Sequence, residues 1–211
     1  MVAERKRKVR YAVVGMGHIA QSAVLPAFSH AENAKLQAIV SDDAKKRKEI
    51  AAKYNLDQAV AYEDLDDLLN RGDVDAVYIA LPNSMHREYV TRAAKAGVHV
   101  LCEKPLGVDV DDCQAMIDAC QDAGVRLMTA YRLHFEKANM RAVEIVNSGK
   151  IGEPRLFSSV FTMNVKEGDI RLRKDLGGGT LYDIGIYCIN AARYLFRRAR
   201  VGASLVRARR G

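Results

Sequence analysis

The sequence lacks any uninterrupted apolar run near the roughly 18–20 residues that a membrane-spanning helix needs. It also lacks the long apolar stretch and small-residue cleavage site of a secretory leader, since the basic start MVAERKRKVRYAVVG runs directly into a short strand pattern and a glycine turn. A cytoplasmic protein with no membrane partner is expected. Cysteine is scarce. Cys102, Cys113, Cys120 and Cys188 form no CxxC pair and have no histidine at zinc-site spacing. Reduced, mostly buried thiols and no metal site are therefore expected.

Charge of one sign is in excess, but not in the body of the chain. The formal net charge is +7, and Arg197–Gly211 alone holds six arginines and no acid. Five more cations, Arg5, Lys6, Arg7, Lys8 and Arg10, stand at the start of the chain. What lies between carries no cationic excess, so no nucleic-acid partner is expected. Binding through the tail would show as salt-sensitive association lost when the tail is removed. With 49% apolar and 28% charged residues over 211 positions, the chain is of ordinary globular composition. Its length suits one large or two small domains.

Short β-branched runs alternate with longer helical periods. Val9–Val14, Leu36–Val40, Val74–Leu81, Val98–Cys102 and Arg126–Ala130 read as strands, with a weaker one near Ala59–Ala61. Helices are expected from Ile19 until Pro26 ends or kinks it, and over Lys45–Tyr54, Glu63–Asn70, His86–Ala96 and Asp109–Ala123. Gly97 and Gly124 stand where a helix needs a left-handed terminator. This order is βαβαβ twice over, the pattern of an α/β fold with a doubly wound parallel sheet.

Three motifs carry chemistry. Gly15-Met16-Gly17-His18-Ile19-Ala20 fits G-x-G-x-x-A after a strand and at a helix start. There the first glycine makes the tight turn and the second admits a pyrophosphate, while the helix start offers free N–H groups. After the second strand, where NAD sites place a carboxylate, the chain has Ser41, followed by Lys45, Lys46, Arg47 and Lys48. A small hydroxyl with cations suits a 2′-phosphate, so NADP is expected, with Asp42 and Asp43 leaving NAD as the alternative. A solvated basic helix face is the bland reading of the same run.

Glu103-Lys104-Pro105 stands at the carboxyl end of a strand, where doubly wound folds bind ligands. A lysine there can meet a substrate hydroxyl or lower the pKa of a neighbouring acid, although Glu103–Lys104 also reads as an ordinary surface pair. In Gly177-Gly178-Gly179-Thr180-Leu181-Tyr182-Asp183-Ile184-Gly185-Ile186-Tyr187, three glycines open a flexible approach to a helix. Asp183 and Tyr187, four apart, share one helix face. An acid/base with its hydrogen-bonding partner and a capped helix with a buried aromatic both fit that spacing.

GMGHIA, EKP, Tyr131-Arg132-Leu133-His134-Phe135 and GGGTLYDIGIY, in that order, resemble the Gfo/Idh/MocA oxidoreductase family, with the last stretch most similar to its glucose–fructose oxidoreductase branch. The resemblance covers about Val9 to Phe196. It implies a Rossmann domain over residues 1–130 and an α+β substrate domain beginning at residue 131. It also implies a catalytic pair of Lys104 and Tyr187, with Asp183 as a substrate-binding helper. The cofactor would be met by Gly15, Met16, Gly17, His18 and Ile19, by Ser41 and Lys46 at the 2′-phosphate, by Leu81, Pro82, Asn83 and His86, by Glu103 and Lys104, and by Arg132. The implied activity is hydride transfer between NADP and a sugar or polyol, in an enzyme whose full-length relatives form homo-oligomers. The alternative is a non-catalytic NADP-binding pseudoenzyme or a redox-responsive interaction protein. Family members run much longer, and RRARVGASLVRARRG shows no resemblance. The expectation is a substrate domain confined to residues 131–196 and incomplete, with weak or no turnover from this form, and a tail over 197–211 foreign to the fold, as after a shifted reading frame.

Overall fold

The strands of the first half form because β-branched and apolar residues alternate between two buried faces. In the computed structural model, which describes residues 7–196, the chain divides after Ala130 into two compact units. The first contains β1 (Val9–Val14), β2 (Ala34–Val40), β3 (Gln58–Val60), β4 (Ala76–Ile79), β5 (His99–Cys102) and β6 (Leu127–Thr129). They make one parallel sheet in the order β3-β2-β1-β4-β5-β6. This is the doubly wound order whose direction reverses between β1 and β4.

Side chains on alternate positions of the strands feed two apolar clusters. Ala12, Val14, Ala38, Val40, Val77 and Ile79 face one side, where Leu65, Leu68, Tyr89, Val90 and Met116 cover them. Val13 and Ile39 face the other, with Met16, Ala20, Leu25 and Ile50. The covering helices are α1 (Leu25–Ala27), α2 (Ala44–Tyr54), α3 (Leu65–Asn70), α4 (His86–Lys95) and α5 (Val110–Asp122). Helix α4 buries His86, Tyr89, Val90, Ala93 and Ala94, an apolar stripe at the helical period. It ends as the sequence suggests. Gly97 takes φ +72°, and the N–H groups of Gly97 and Val98 reach back to the carbonyls of Ala94 and Ala93.

The helix after the glycine turn differs from expectation. It opens with a π segment, Ala20–Val24, in which the Leu25 N–H donates to the Ala20 carbonyl five residues back. Only then does α1 begin, and it runs one residue past Pro26. Proline brings no N–H, so the widened turn before it strands no donor. The acidic helix starts at Leu65 rather than Glu63, and β4 is shorter at both ends than its apolar run.

The second unit contains α6 (Lys137–Asn147), three 3₁₀ turns at Arg132–Phe135, Ile170–Leu172 and Lys174–Leu176, and a π segment Leu181–Gly185 leading into α7 (Ile186–Phe196). Its described residues include no strand. The Arg-rich tail read as foreign to the fold, Arg197–Gly211, lies outside the described residues. Among the described residues no helix is long and apolar enough to cross a membrane.

At the amino-terminal edge of the sheet, Asp75 joins β1 to β4. Its carboxylate accepts from the Arg10 backbone N–H at 2.8 Å and from the Arg10 guanidinium at 2.7 and 3.0 Å, with Arg7 at 2.8 Å. The Arg10 hydrogen bonds hold the Asp75 carboxyl far below the usual carboxylate range. A depressed acid contributes stability that is complete above about pH 4 and is lost as the pH falls through that value and below. Asp75→Asn should lower the melting temperature at neutral pH and flatten the loss of stability on acidification. Unchanged acid unfolding in the variant would remove Asp75 from this role.

Candidate active site

The carboxyl ends of β1, β4 and β5 bring together the residues that the sequence singled out in the first unit. Gly15 leaves β1 with φ +95°, and a Cβ on it would sit 2.4 Å from the Ala80 carbonyl oxygen. Only glycine serves at this position, on both counts. Gly17 is the opposite case. No heavy atom lies within 4 Å of where its Cβ would be, so the fold itself tolerates a side chain there. The open space beside a helix start, whose first N–H groups have no acceptor within the helix, fits a dinucleotide pyrophosphate. His18 is exposed and Ile19 half-buried. Met16 was expected on the cofactor, but its side chain is 4% exposed and packs in the cluster with Val13 and Leu25. Only its backbone faces the turn, and its carbonyl accepts from Gln21 at 2.7 Å.

After β2, Ser41 is buried, its hydroxyl accepting from the Asp43 N–H at 3.3 Å. Asp42 accepts from the Tyr62 N–H at 2.9 Å. Asp43 caps α2 through the Lys46 N–H at 3.0 Å, which holds its carboxyl below the usual range. Both acids are thus occupied in building the turn. The Lys46 ammonium, expected at a 2′-phosphate, lies 3.3 Å from Asp43 Oδ2, whereas Arg47 turns back and donates to the Ser41 carbonyl. The structure therefore brings Arg47, rather than Lys46, to Ser41.

After β4, Leu81 is buried, and Pro82 and Asn83 lead into a 3₁₀ turn, Asn83–Met85. His86 was expected on the cofactor, yet it is fully buried and faces backbone carbonyls with both ring nitrogens. It lies beneath the turn, out of reach of a ligand. After β5, Glu103 is 9% exposed and accepts from the Tyr78 hydroxyl at 2.6 Å and from the Lys104 N–H at 3.2 Å. The Lys104–Pro105 peptide is cis. Tyr78 was not foreseen; a tyrosine inside a buried strand, with a hydroxyl that must find a partner, was the available signal.

In the second unit, Asp183 stands on the π segment, with Arg171 Nε 2.9 Å from its Oδ2. Asp169 also contacts Arg171, at 3.3 Å. Tyr187, one turn on, packs edge-to-face on Tyr131 with ring centroids 6.2 Å apart and tilted against Phe161 at 5.8 Å. Arg132 is exposed at the start of a 3₁₀ turn. The triple glycine is packed, not loose. A Cβ on Gly178 would lie 2.6–2.7 Å from the carbonyl oxygens of Ile170, Arg171 and Arg173. That close approach seats the Arg171 turn against the segment that carries Asp183. Arg171 and Phe161 were not expected at the site.

A family profile described as an oxidoreductase family with an NAD-binding Rossmann fold matches residues 9–131, and the GFO/IDH/MocA C-terminal domain profile matches residues 139–211. The chain belongs to the Gfo/Idh/MocA oxidoreductase family. A D-xylose 1-dehydrogenase (NADP(+)) of Haloferax volcanii is 38% identical over 185 residues, covering 87% of this chain and 56% of that protein. The aldose–aldose oxidoreductase of Caulobacter crescentus, solved with glycerol, superposes with a TM-score of 0.82 at 40% identity, covering 90% of this chain and 58% of the other. KijD10, a 3-ketoreductase from Actinomadura kijaniata solved with NADP and TDP-benzene, gives a TM-score of 0.80 at 35% identity, with 90% and 57% covered. The chain thus spans a little over half the length of these relatives.

The two glycines separate folding from binding. Gly17→Val should leave the melting temperature nearly unchanged and abolish nicotinamide-dinucleotide binding in a fluorescence titration. Unaltered affinity would make Gly17 a structural turn and displace the site.

Proposed function

We propose that this protein is an NADP-dependent oxidoreductase that transfers a hydride between the nicotinamide and a hydroxyl or carbonyl carbon of a sugar or polyol. The observation that carries the reading is the cradle at the β1–β4 switch point. A glycine turn open at Gly17, Ser41 with the Arg47 guanidinium on its carbonyl, and Glu103–Lys104 in the turn after β5 make the arrangement that a phosphorylated dinucleotide needs. That relatives include a D-xylose 1-dehydrogenase, an aldose–aldose oxidoreductase and a 3-ketoreductase supports the substrate class.

The bound cofactor supplies or accepts the hydride at C4 of its nicotinamide ring. The protein's residues handle the proton and the orientation. Tyr187 takes the hydroxyl proton in the oxidative direction and returns it to the carbonyl oxygen in the reductive one. Lys104 meets the substrate hydroxyl from the turn after β5. Asp183, oriented by Arg171, accepts hydrogen bonds from substrate hydroxyls. Glu103, held by Tyr78, fixes the turn from which Lys104 extends. Residues 1–130 serve the cofactor and residues from 131 onward serve the substrate.

The 2′-phosphate reading distinguishes the two cofactors. A charged hydrogen bond to phosphate contributes roughly 1.5–3 kcal/mol, about tenfold or more in affinity. Lys46→Ala and Arg47→Ala should each weaken NADPH by about that factor and change NADH far less. Equal losses for both cofactors would remove the 2′-phosphate from this corner.

The chemical reading is tested by following nicotinamide absorbance with a panel of aldoses, polyols and sugar nucleotides. Tyr187→Phe keeps the ring packing on Tyr131 and Phe161 and removes only the hydroxyl. It should cut turnover by roughly 10²–10⁴-fold and leave NADPH affinity intact. Normal turnover in that variant would overturn the assignment of Tyr187. NADPH binding with no turnover across the panel would favour a binding protein over an enzyme.

A further inference from the structure

His86 belongs to neither the cofactor surface nor the apolar core, although it is fully buried. Its Nε2 lies 3.0 Å from the Leu81 carbonyl oxygen, and its Nδ1 lies 2.9 and 3.1 Å from those of Pro105 and Leu106. One ring therefore spans the turn after β4 and the turn after β5, and the second of these carries Lys104. The ring is the first residue of α4, whose Tyr89, Val90, Ala93 and Ala94 are locked in the core. Its base is as fixed as the sheet.

We infer that His86 is the positioning residue for Lys104, acting through a hydrogen bond from Nδ1 to the Pro105 and Leu106 carbonyls. Two features make this more than a filled gap. A phenylalanine or leucine would fill the same volume, but the carbonyls of three residues would then face a hydrocarbon with no donor. Glu103, just before Lys104, is tied to the sheet through the Ile79 carbonyl and the Tyr78 hydroxyl, on the β5 side of the turn. His86 ties the far side. Doubly protonated, the ring donates to both turns; neutral, it donates to one. Burial pushes its pKa down, opposed by the three carbonyls and the Glu103 carboxylate.

This inference rests on Lys104 as a working group of the site, so its test reads Lys104 without turnover. Wild type, His86→Asn, His86→Gln and His86→Phe are acylated with limiting acetic anhydride, and modification of Lys104 is quantified by peptide mass. An asparagine amide occupies the place of Nδ1, and a glutamine amide that of Nε2. His86→Asn should keep the Lys104 acylation rate of wild type, whereas His86→Gln and His86→Phe should alter it by about threefold or more, the effect of one lost oriented hydrogen bond. Where turnover is measured, kcat should follow the same order, falling by up to about a hundredfold with KM for NADPH little changed. In unaltered protein, a slowly exchanging proton on His86 Nδ1 should appear in nitrogen-resolved NMR spectra. Its absence, or equal acylation across all four proteins, would overturn the positioning role. If the acylation order holds while Lys104→Met turns over normally, the functional reading of Lys104 fails and the brace stands.

Discussion

Each strand of the sheet hands its neighbour one last hydrogen bond just as the neighbour's chain turns away, and the site is assembled on that edge. Ser41 donates its N–H to the Val60 carbonyl at 3.0 Å, Gly15 to Val40 at 2.9 Å, Ala80 to Val14 at 2.8 Å, Glu103 to Ile79 at 2.9 Å and Ala130 to Cys102 at 2.7 Å. Ser41, Gly15 and Glu103, all expected at the site, are thus each the first residue off a strand, and the ladder sets their spacing before any side chain acts. The same constraint explains the glycine. With Gly15 tied to β2 and Ala80 tied to β1, the two backbones pass too closely for a Cβ, so side-chain-free backbone is the condition for closing the edge. The backbone amides at these turns are thus aimed by the sheet.

Much of this was legible because its signals are local. β1 ends where a β-branched run meets glycine, and its bounds match the sequence reading. α4 and its terminator are written in one amphipathic stripe and Gly97. β4 was read too long for an instructive reason. Val74 and Leu81 are buried at 4% and 8% exposure, yet neither pairs in the ladder. Burial marks an apolar residue, whereas strand membership needs a partner, and a single sequence shows only the first. The cation run after Ser41 presents a similar limit. Composition supplies four candidates, but Lys46 stands at the third helical position, whose N–H is claimed by Asp43, and its side chain follows its backbone to the same carboxylate. Arg47, one helical step on, faces Ser41. That choice is made by the angular step of the helix and by the cap together.

The second unit was legible only as motif. Asp183 and Tyr187 were visible by spacing, but Arg171 reaches Asp183 across a glycine-packed turn, a contact that no periodicity encodes. Phe161 reaches Tyr187 from a stretch with no regular structure, where neither period applies. His86 was misplaced for a related reason. A histidine near a ligand turn suggests a ligand contact, and only three-dimensional packing shows it facing carbonyls from below.

The two units are held by forces of different kinds. The first rests on two apolar clusters and a ladder, both insensitive to salt. In the second, Ile184 is the one buried apolar residue among those described, while Leu156 and Val160 are each 86% exposed. So small an apolar core cannot by itself offset the entropy of ordering the segment. What orients Asp183 is an ion pair whose arginine is 40% exposed, an interaction weakened by salt and worth little at equilibrium. Under the proposed function, pairing of this strength suits a carboxylate that exchanges partners, because a substrate hydroxyl can displace or share the guanidinium at small cost. The cofactor side needs the reverse, a cradle already in final shape so that binding is not spent on ordering it. A rigid strand edge and a weakly tethered acid are therefore the two mechanical parts that the proposed function would use, one for a constant cofactor and one for a variable substrate.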